Sequence, residues 1–142
     1  MKKYFLDCAS TTQPYKEVVD VVADVMYNHY GNPSSTHEMG QDAKNIIENV
    51  RNQIAADINC EPKEIIFTSG GVEANTLALC GTNFDTIITT QLEHKSISEI
   101  LNHHKFTNVH YIPVDEFGNI DANILEDTIK EHNNSIVSIQ YA

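Results

Sequence analysis

Positive charge is scarce in this sequence: 9 lysines and arginines stand against 20 acidic residues, a formal net charge of −11 over 142 residues. The phosphate attraction that drives nucleic-acid binding is therefore missing, and DNA and RNA are not expected partners. Long apolar runs are missing as well. None approaches the roughly 20 residues that span a bilayer, and the Lys2-Lys3 pair is not followed by an apolar signal core. No membrane partner is expected, and the cytoplasm is the expected compartment. Cysteine is sparse: Cys8, Cys60 and Cys80 are odd in number and widely spaced, which suits neither a disulfide framework nor a CxxC metal site. They read as reduced thiols. The seven histidines include no HExxH and no helical i, i+4 pair, and the adjacent His103 and His104 would diverge by about 100° on a helix, so no metal site is expected. Neither GxGxxG nor GxxxxGK[ST] occurs, which disfavours a dinucleotide or a nucleoside triphosphate and leaves a ligand with a simpler phosphate.

What is present fits one globular domain or a piece of a larger one, with 41% hydrophobic residues. Val18, Val22, Val25 and His29 lie on one helical face after Pro14, and Ala43, Ile47, Val50 and Ile54 do so after the Gly31 to Gly40 loop. Beyond them come short β-branched runs, Ile65-Ile66-Phe67, Thr86-Ile87-Ile88, Val109-His110-Tyr111-Ile112 and Ile136-Val137-Ser138-Ile139, separated by helix-length segments. This alternation predicts an α/β fold with a mostly parallel sheet and flanking helices. The intervening helices are expected after Gly71 (with Val72, Thr76, Leu77 and Cys80), after His94 (with Ile97, Ile100, Leu101 and His104) and after Asp121 as N-cap. Asp115 to Asn119 reads as a turn. The sequence stops on its last apolar run with no closing helix, and supplies only about half of a doubly wound domain, so it reads as truncated.

Three segments carry chemistry. Phe67-Thr68-Ser69-Gly70-Gly71-Val72-Glu73-Ala74-Asn75 is in outline an anion cradle, in which glycines admit close backbone approach and free N–H groups at a helix start hold a phosphate or carboxylate. The same Gly-Gly also serves a plain strand-to-helix turn. Gln91-Leu92-Glu93-His94-Lys95-Ser96 follows the Ile87-Ile88 strand and opens a helix, which is the carboxyl edge where ligands bind in parallel α/β sheets. His94 shares a helical face with Ile97 and Leu101, so its ring is expected to point towards the sheet and not into bulk water. The alternative for a histidine so placed is a purely structural role. Gly31-Asn32-Pro33-Ser34-Ser35-Thr36-His37-Glu38-Met39-Gly40 is a turn-rich connector, with Ser35 or Thr36 as the next N-cap, whose length also suits a lid or subunit-contact loop.

These residues resemble the cysteine desulfurases. Leu6-Asp7-Cys8-Ala9-Ser10-Thr11-Thr12 is similar to the family's LDxAATT start, Gly31 to His37 to its GNPSSxH loop, Glu64 to Asn75 to EIIFTSGGTEADN, and Glu93-His94-Lys95-Ser96 to EHKS or EHKA. The four motifs stand in the family's order and cover almost the whole sequence. The resemblance implies the N-terminal part of a fold type I transferase dependent on pyridoxal 5'-phosphate (PLP), of roughly 400 residues and homodimeric. It divides the chain into an N-terminal helical segment, residues 1–60, and the first part of the large α/β domain, residues 61–142. It implies that the PLP phosphate sits at Gly71 and Val72, and that His94 stacks on the pyridine ring and serves as a proton shuttle. The implied reaction takes sulfur from L-cysteine onto an enzyme cysteine as a persulfide, leaves L-alanine, and passes the sulfur to an acceptor protein for iron–sulfur cluster assembly or tRNA thiolation.

Two departures stand out. Val72 replaces the family's usual threonine, removing one hydroxyl contact to the phosphate, worth about 1 kcal/mol. The acid that pairs with the pyridine nitrogen, the lysine that holds PLP and the nucleophilic cysteine belong to family segments beyond Ala142. Lys95 matches no PLP-lysine motif, and Cys8, Cys60 and Cys80 match no persulfide loop, so they read as core or near-site thiols. By itself the chain is therefore expected to be inactive. Two alternatives remain: a related class V PLP enzyme such as a selenocysteine lyase, and a truncated non-catalytic relative acting as a binding or dimerisation piece.

Overall fold

A computed structural model describes residues 4–104, 106 and 108–141, and in it the chain forms two compact units, Met1–Ile66 and Phe67–Ala142. The first unit holds helices α1 (Lys16–Asn28) and α2 (Glu38–Asp57) and a 3-10 turn (Pro62–Glu64). Both predicted helices form. α1 buries none of its residues, and of its expected apolar face only Val25 and His29 are even half-buried. α2 buries Gly40, Ala43 and Ala55. Its N-cap is neither Ser35 nor Thr36 but His37, whose Nδ1 accepts the Gly40 N–H at 3.3 Å. An imidazole nitrogen carries the same free lone pair as a serine or aspartate oxygen, which the usual list of capping residues overlooks.

The GNPSS loop is packed tightly onto this helix start. Asn32 accepts from the Ser34 N–H through its side chain and from the Ser35 N–H through its carbonyl, both at 2.9 Å. A Cβ at Gly31 would fall on the Met39 carbonyl, and one at Gly40 would lie 2.7 Å from the carbonyls of Asn32 and Ser35, so at both positions only glycine fits. At the other end of α2, Arg51 donates to the Ile65 carbonyl and pairs with Glu48 at 3.2 Å.

In the second unit α3 (Gly71–Cys80), β1 (Thr86–Thr89), α4 (Lys95–His103), β2 (Val109–Tyr111), α5 (Ala122–Glu131) and β3 (Ser135–Val137) alternate as expected. The strands form a parallel sheet in the order β2-β1-β3, with Ile87 opposite both Val109 and Ile136. Parallel strands need crossovers, which α4 and α5 provide. Asp85, just ahead of β1, is clasped from both sides. Its N–H donates to the Asn134 carbonyl at 2.9 Å, its carbonyl accepts from the Asn108 amide at 3.1 Å, and its carboxylate accepts from the Asn134 amide at 3.0 Å.

All four residues of β1 are buried, as a central strand covered on both faces requires. Ile87 packs in a cluster with Leu79, Ile97, Ile100 and Leu101, onto which Phe84, Phe106, Val109 and Ile136 close. Asp121 caps α5 by accepting the Asn123 N–H at 2.8 Å, as its sequence predicts. The Asp115–Asn119 turn is held by the Asp115 carboxylate, which accepts from the Phe117 and Asn119 N–H groups and the Asn119 amide. Those bonds hold its pKa below the usual carboxylate range, Asn119 contributing most.

Two further expectations fail. Ile65-Ile66-Phe67 is extended but joins no ladder among the described residues, and Ile66 and Phe67 are exposed; a β-branched run becomes a strand only when a neighbour pairs with its backbone. On α3 the buried residue is Leu79, while Val72, Leu77 and Cys80 are exposed. Apolar side chains run around most of this short helix, so periodicity pointed to no single face.

Candidate active site

The Ser-Gly-Gly turn meets α3 as predicted. Gly70 is the N-cap, with extended backbone, and its carbonyl accepts the Ala74 N–H at 3.1 Å. The N–H groups of Gly71 and Val72 find no protein acceptor among the described residues, as expected for the first turn of a helix. A Cβ built on Gly70 or Gly71 meets nothing within 4 Å, so the approach to these amides is open. The Glu73 carboxylate is engaged just ahead of the helix, accepting from the Ser69 hydroxyl at 2.6 Å and the Ser69 N–H at 2.7 Å. These two bonds, the hydroxyl first, hold Glu73 below its usual 4.5 against a smaller desolvation effect. With that carboxylate bonded to Ser69, the Gly71 and Val72 amides stay available to an external anion.

Val72 and His94 line one open cavity of about 570 Å³, together with Lys95, Ser96 and Ile100. His94 follows the carboxyl end of β1, the edge at which ligands enter parallel sheets. Its ring does not turn into the sheet as the helical-face argument predicts. His94 is exposed and is the N-cap of α4, with φ −57° and ψ 148°, so it stands outside the helix and helical periodicity does not govern its direction. Ile97, Ile100 and Leu101 alone make the buried face. The His94 Nδ1 accepts the Ser96 N–H at 3.1 Å and lies 2.8 Å from the Ser96 hydroxyl, which in turn accepts from the Asn75 amide of α3 at 2.9 Å.

Glu93 ties this loop to the far strand. Its carboxylate accepts the Gln140 N–H at 2.6 Å and the Ser138 hydroxyl at 3.3 Å, while the Ser138 N–H donates to the Ile88 carbonyl at 2.9 Å. The Thr89 hydroxyl, wholly buried at the end of β1, has no partner among the described residues. Of the three thiols, Cys8 and Cys80 are exposed and Cys60 half-buried, so the core reading fails for all of them. Sequence reasoning quoted Asn75, Glu93 and Ser96 within motifs without a role. No local signal links Asn75 to Ser96 across 21 residues, or Glu93 to Gln140 across 47.

An open amide cradle beside a histidine at the sheet edge is an arrangement to compare with known proteins. The signature of the family described as "Aminotransferase class-V" matches residues 4–142. The chain belongs to this family. Among relatives of this class-V aminotransferase chain, the "Cysteine desulfurase IscS 1" of Archaeoglobus fulgidus is 35% identical across 97% of the chain and 38% of that protein. The "Cysteine desulfurase, mitosomal" of Encephalitozoon cuniculi is 40% identical across 97% of the chain and 34% of that protein. A solved structure titled "SspA in complex with cysteine" superposes with a TM-score of 0.84 at 27% identity, over 96% of this chain and 42% of the other. The class-V chain therefore spans little more than a third of the length of the curated relatives it matches.

Proposed function

We propose that this chain is the cofactor-cradling N-terminal part of a PLP-dependent cysteine desulfurase, which converts L-cysteine to L-alanine and transfers the sulfur to an enzyme cysteine as a persulfide. The observation that carries the reading is the shared cavity of Val72 and His94, at the helix start where the amides of Gly71 and Val72 find no protein acceptor among the described residues. The residues present fit the cofactor. The N–H groups of Gly71 and Val72 would donate to phosphate oxygens, aided by the positive end of the α3 dipole, and an added Cβ there would meet only open space. His94, exposed at the sheet edge, would offer its ring face to the pyridine and its Nε2 as a site to hold or move a proton. When bound, PLP supplies the electron sink for the substrate. Lys95, also lining the cavity, adds positive charge beside the anion.

The reading extends to parts the chain's relatives carry in their remaining length: a PLP-holding lysine, an acid for the pyridine nitrogen and a persulfide-forming cysteine. It takes residues 1–60 as an N-terminal helical segment and 61–142 as the start of the large domain of a homodimer. Its compartment is the cytoplasm and its sulfur acceptor a protein of iron–sulfur or tRNA-thiolation pathways. No helix among the described residues is long and apolar enough to cross a membrane.

The test is to incubate the chain with PLP and L-cysteine and assay sulfide and alanine. The 142 residues alone should not exceed free PLP, because they offer no PLP lysine and no sulfur-accepting loop. A chimera carrying the remaining length of the Archaeoglobus relative should turn over, and His94→Ala should abolish that turnover. A folded chimera that binds PLP yet forms no alanine would overturn the assignment.

A further inference from the structure

The geometry points to Asn75 and Ser96 as positioning residues that fix the tautomer of His94. A backbone N–H can only donate, so the Ser96 N–H, 3.1 Å from Nδ1, requires a lone pair on that nitrogen. With Nδ1 unprotonated, the Ser96 hydroxyl 2.8 Å away must donate to it as well. A hydroxyl has one proton. Having given it to Nδ1, the Ser96 oxygen can only accept from Asn75, and it does so from the amide nitrogen at 2.9 Å. The polarity of the whole chain, Asn75 to Ser96 to His94, is therefore set by the backbone. The ring proton is left on Nε2, which has no protein partner among the described residues, while His94 lines the cavity shared with Val72.

The relay also joins two helices. Asn75 lies one turn into α3, whose start carries the Gly71 and Val72 amides, and Ser96 lies in the first turn of α4. One hydrogen-bond chain thus ties the direction of the His94 ring to the helix that bears the anion cradle. Its purpose rests on the cofactor reading above, where an Nε2–H facing the site is a proton donor of fixed position. Its existence does not.

The test reads the tautomer directly, in the chain without PLP. Long-range proton–nitrogen NMR of the histidine rings, at about pH 8.5 where an ordinary ring is neutral, distinguishes a pyridine-like Nδ1 from a pyrrole-like one. The loss of one ring pattern in His94→Gln assigns the signal. The expected result is a dominant Nε2–H form.

Asn75→Asp replaces the donor by a carboxylate that claims the Ser96 hydroxyl proton and turns the oxygen lone pairs towards Nδ1. It should raise the Nδ1–H to Nε2–H ratio about tenfold, one charge-assisted hydrogen bond having been reversed. Ser96→Ala removes the hydroxyl donor but keeps the backbone N–H on Nδ1, so it should lower the Nε2–H preference about fivefold without reversing it, and it decides alone if the first variant does not fold; unchanged amide shifts of Thr86 to Thr89 report folding. A dominant Nδ1–H form in the parent, or a ratio unchanged within about twofold in the folded variants, overturns the relay. Either leaves the cofactor reading untouched, whereas a failed PLP titration does the reverse.

Discussion

Replacing Gly71 by proline removes one donor from the proposed cradle while leaving the helix intact. Gly71 is the first residue of α3, the position at which proline is best tolerated, because the missing N–H has no intrahelical acceptor and φ near −65° is already helical. The residue before a proline must be extended, and Gly70 is, with φ 162° and ψ −178°. An added ring has room, since a Cβ at Gly71 meets nothing within 4 Å. What changes is a single amide. A hydrogen bond from an N–H to a charged phosphate oxygen contributes about 1.5 to 3 kcal/mol, and the exposure of this turn puts the expected loss at the lower end, about tenfold in Kd. Fluorescence titrations of the parent and Gly71→Pro chains with PLP measure it, with pyridoxal, which lacks the phosphate, as the control ligand. PLP affinity should fall about tenfold and pyridoxal affinity should not change. Equal PLP affinities in two chains of equal helix content would refute the phosphate site, as would equal losses for both ligands.

Ile87 is fully buried in the central strand, so Ile87→Ala should cost about 2 to 5 kcal/mol in urea unfolding followed by circular dichroism, and Phe117→Ala, at an exposed turn, under about 0.5. Gly40→Ala gains about 1 kcal/mol of helix propensity but drives a methyl into the carbonyls of Asn32 and Ser35, at about 1 to 3 kcal/mol, so a net loss of midpoint stability is expected. Because folding lowers the pKa of Glu73, its bonds to Ser69 stabilise the turn at pH above the usual 4.5 and are lost as pH falls through the lower folded value. The Ser69 amide shift should therefore titrate below 4.5 in the parent and lose that transition in Glu73→Gln.

The parallel α/β order was legible because its signals are local: β-branched runs at 86–88, 109–112 and 136–139, and helices opened by a cap such as Asp121. Where pairing decides, the sequence was silent. Ile65 to Phe67 has the composition of β1 but joins no ladder among the described residues, and nothing within that run says so. Gly71, Val72 and His94 were marked by glycine pairing and by position after a strand. The direction of the His94 ring was misjudged because a cap residue does not obey helical spacing. The bonds from Asn75 and Glu93 were beyond local reading altogether, since they join residues 21 to 47 positions apart.

The clasp on Asp85 has a consequence for how the chain is made. Its two asparagine partners lie 23 and 49 residues later in the sequence, and both flanking strands begin just beyond them. At a synthesis rate of about 5 to 20 residues per second, Asp85 leaves the ribosome roughly 1 to 5 s before Asn108 and roughly 2 to 10 s before Asn134. Through that interval the Thr86–Thr89 segment, destined to be the most deeply covered backbone in the unit, is an apolar strand with two bare edges. Nascent chains stalled between Thr89 and Asn134 should accordingly be the ones that holdase chaperones bind most tightly, with release following the emergence of β3.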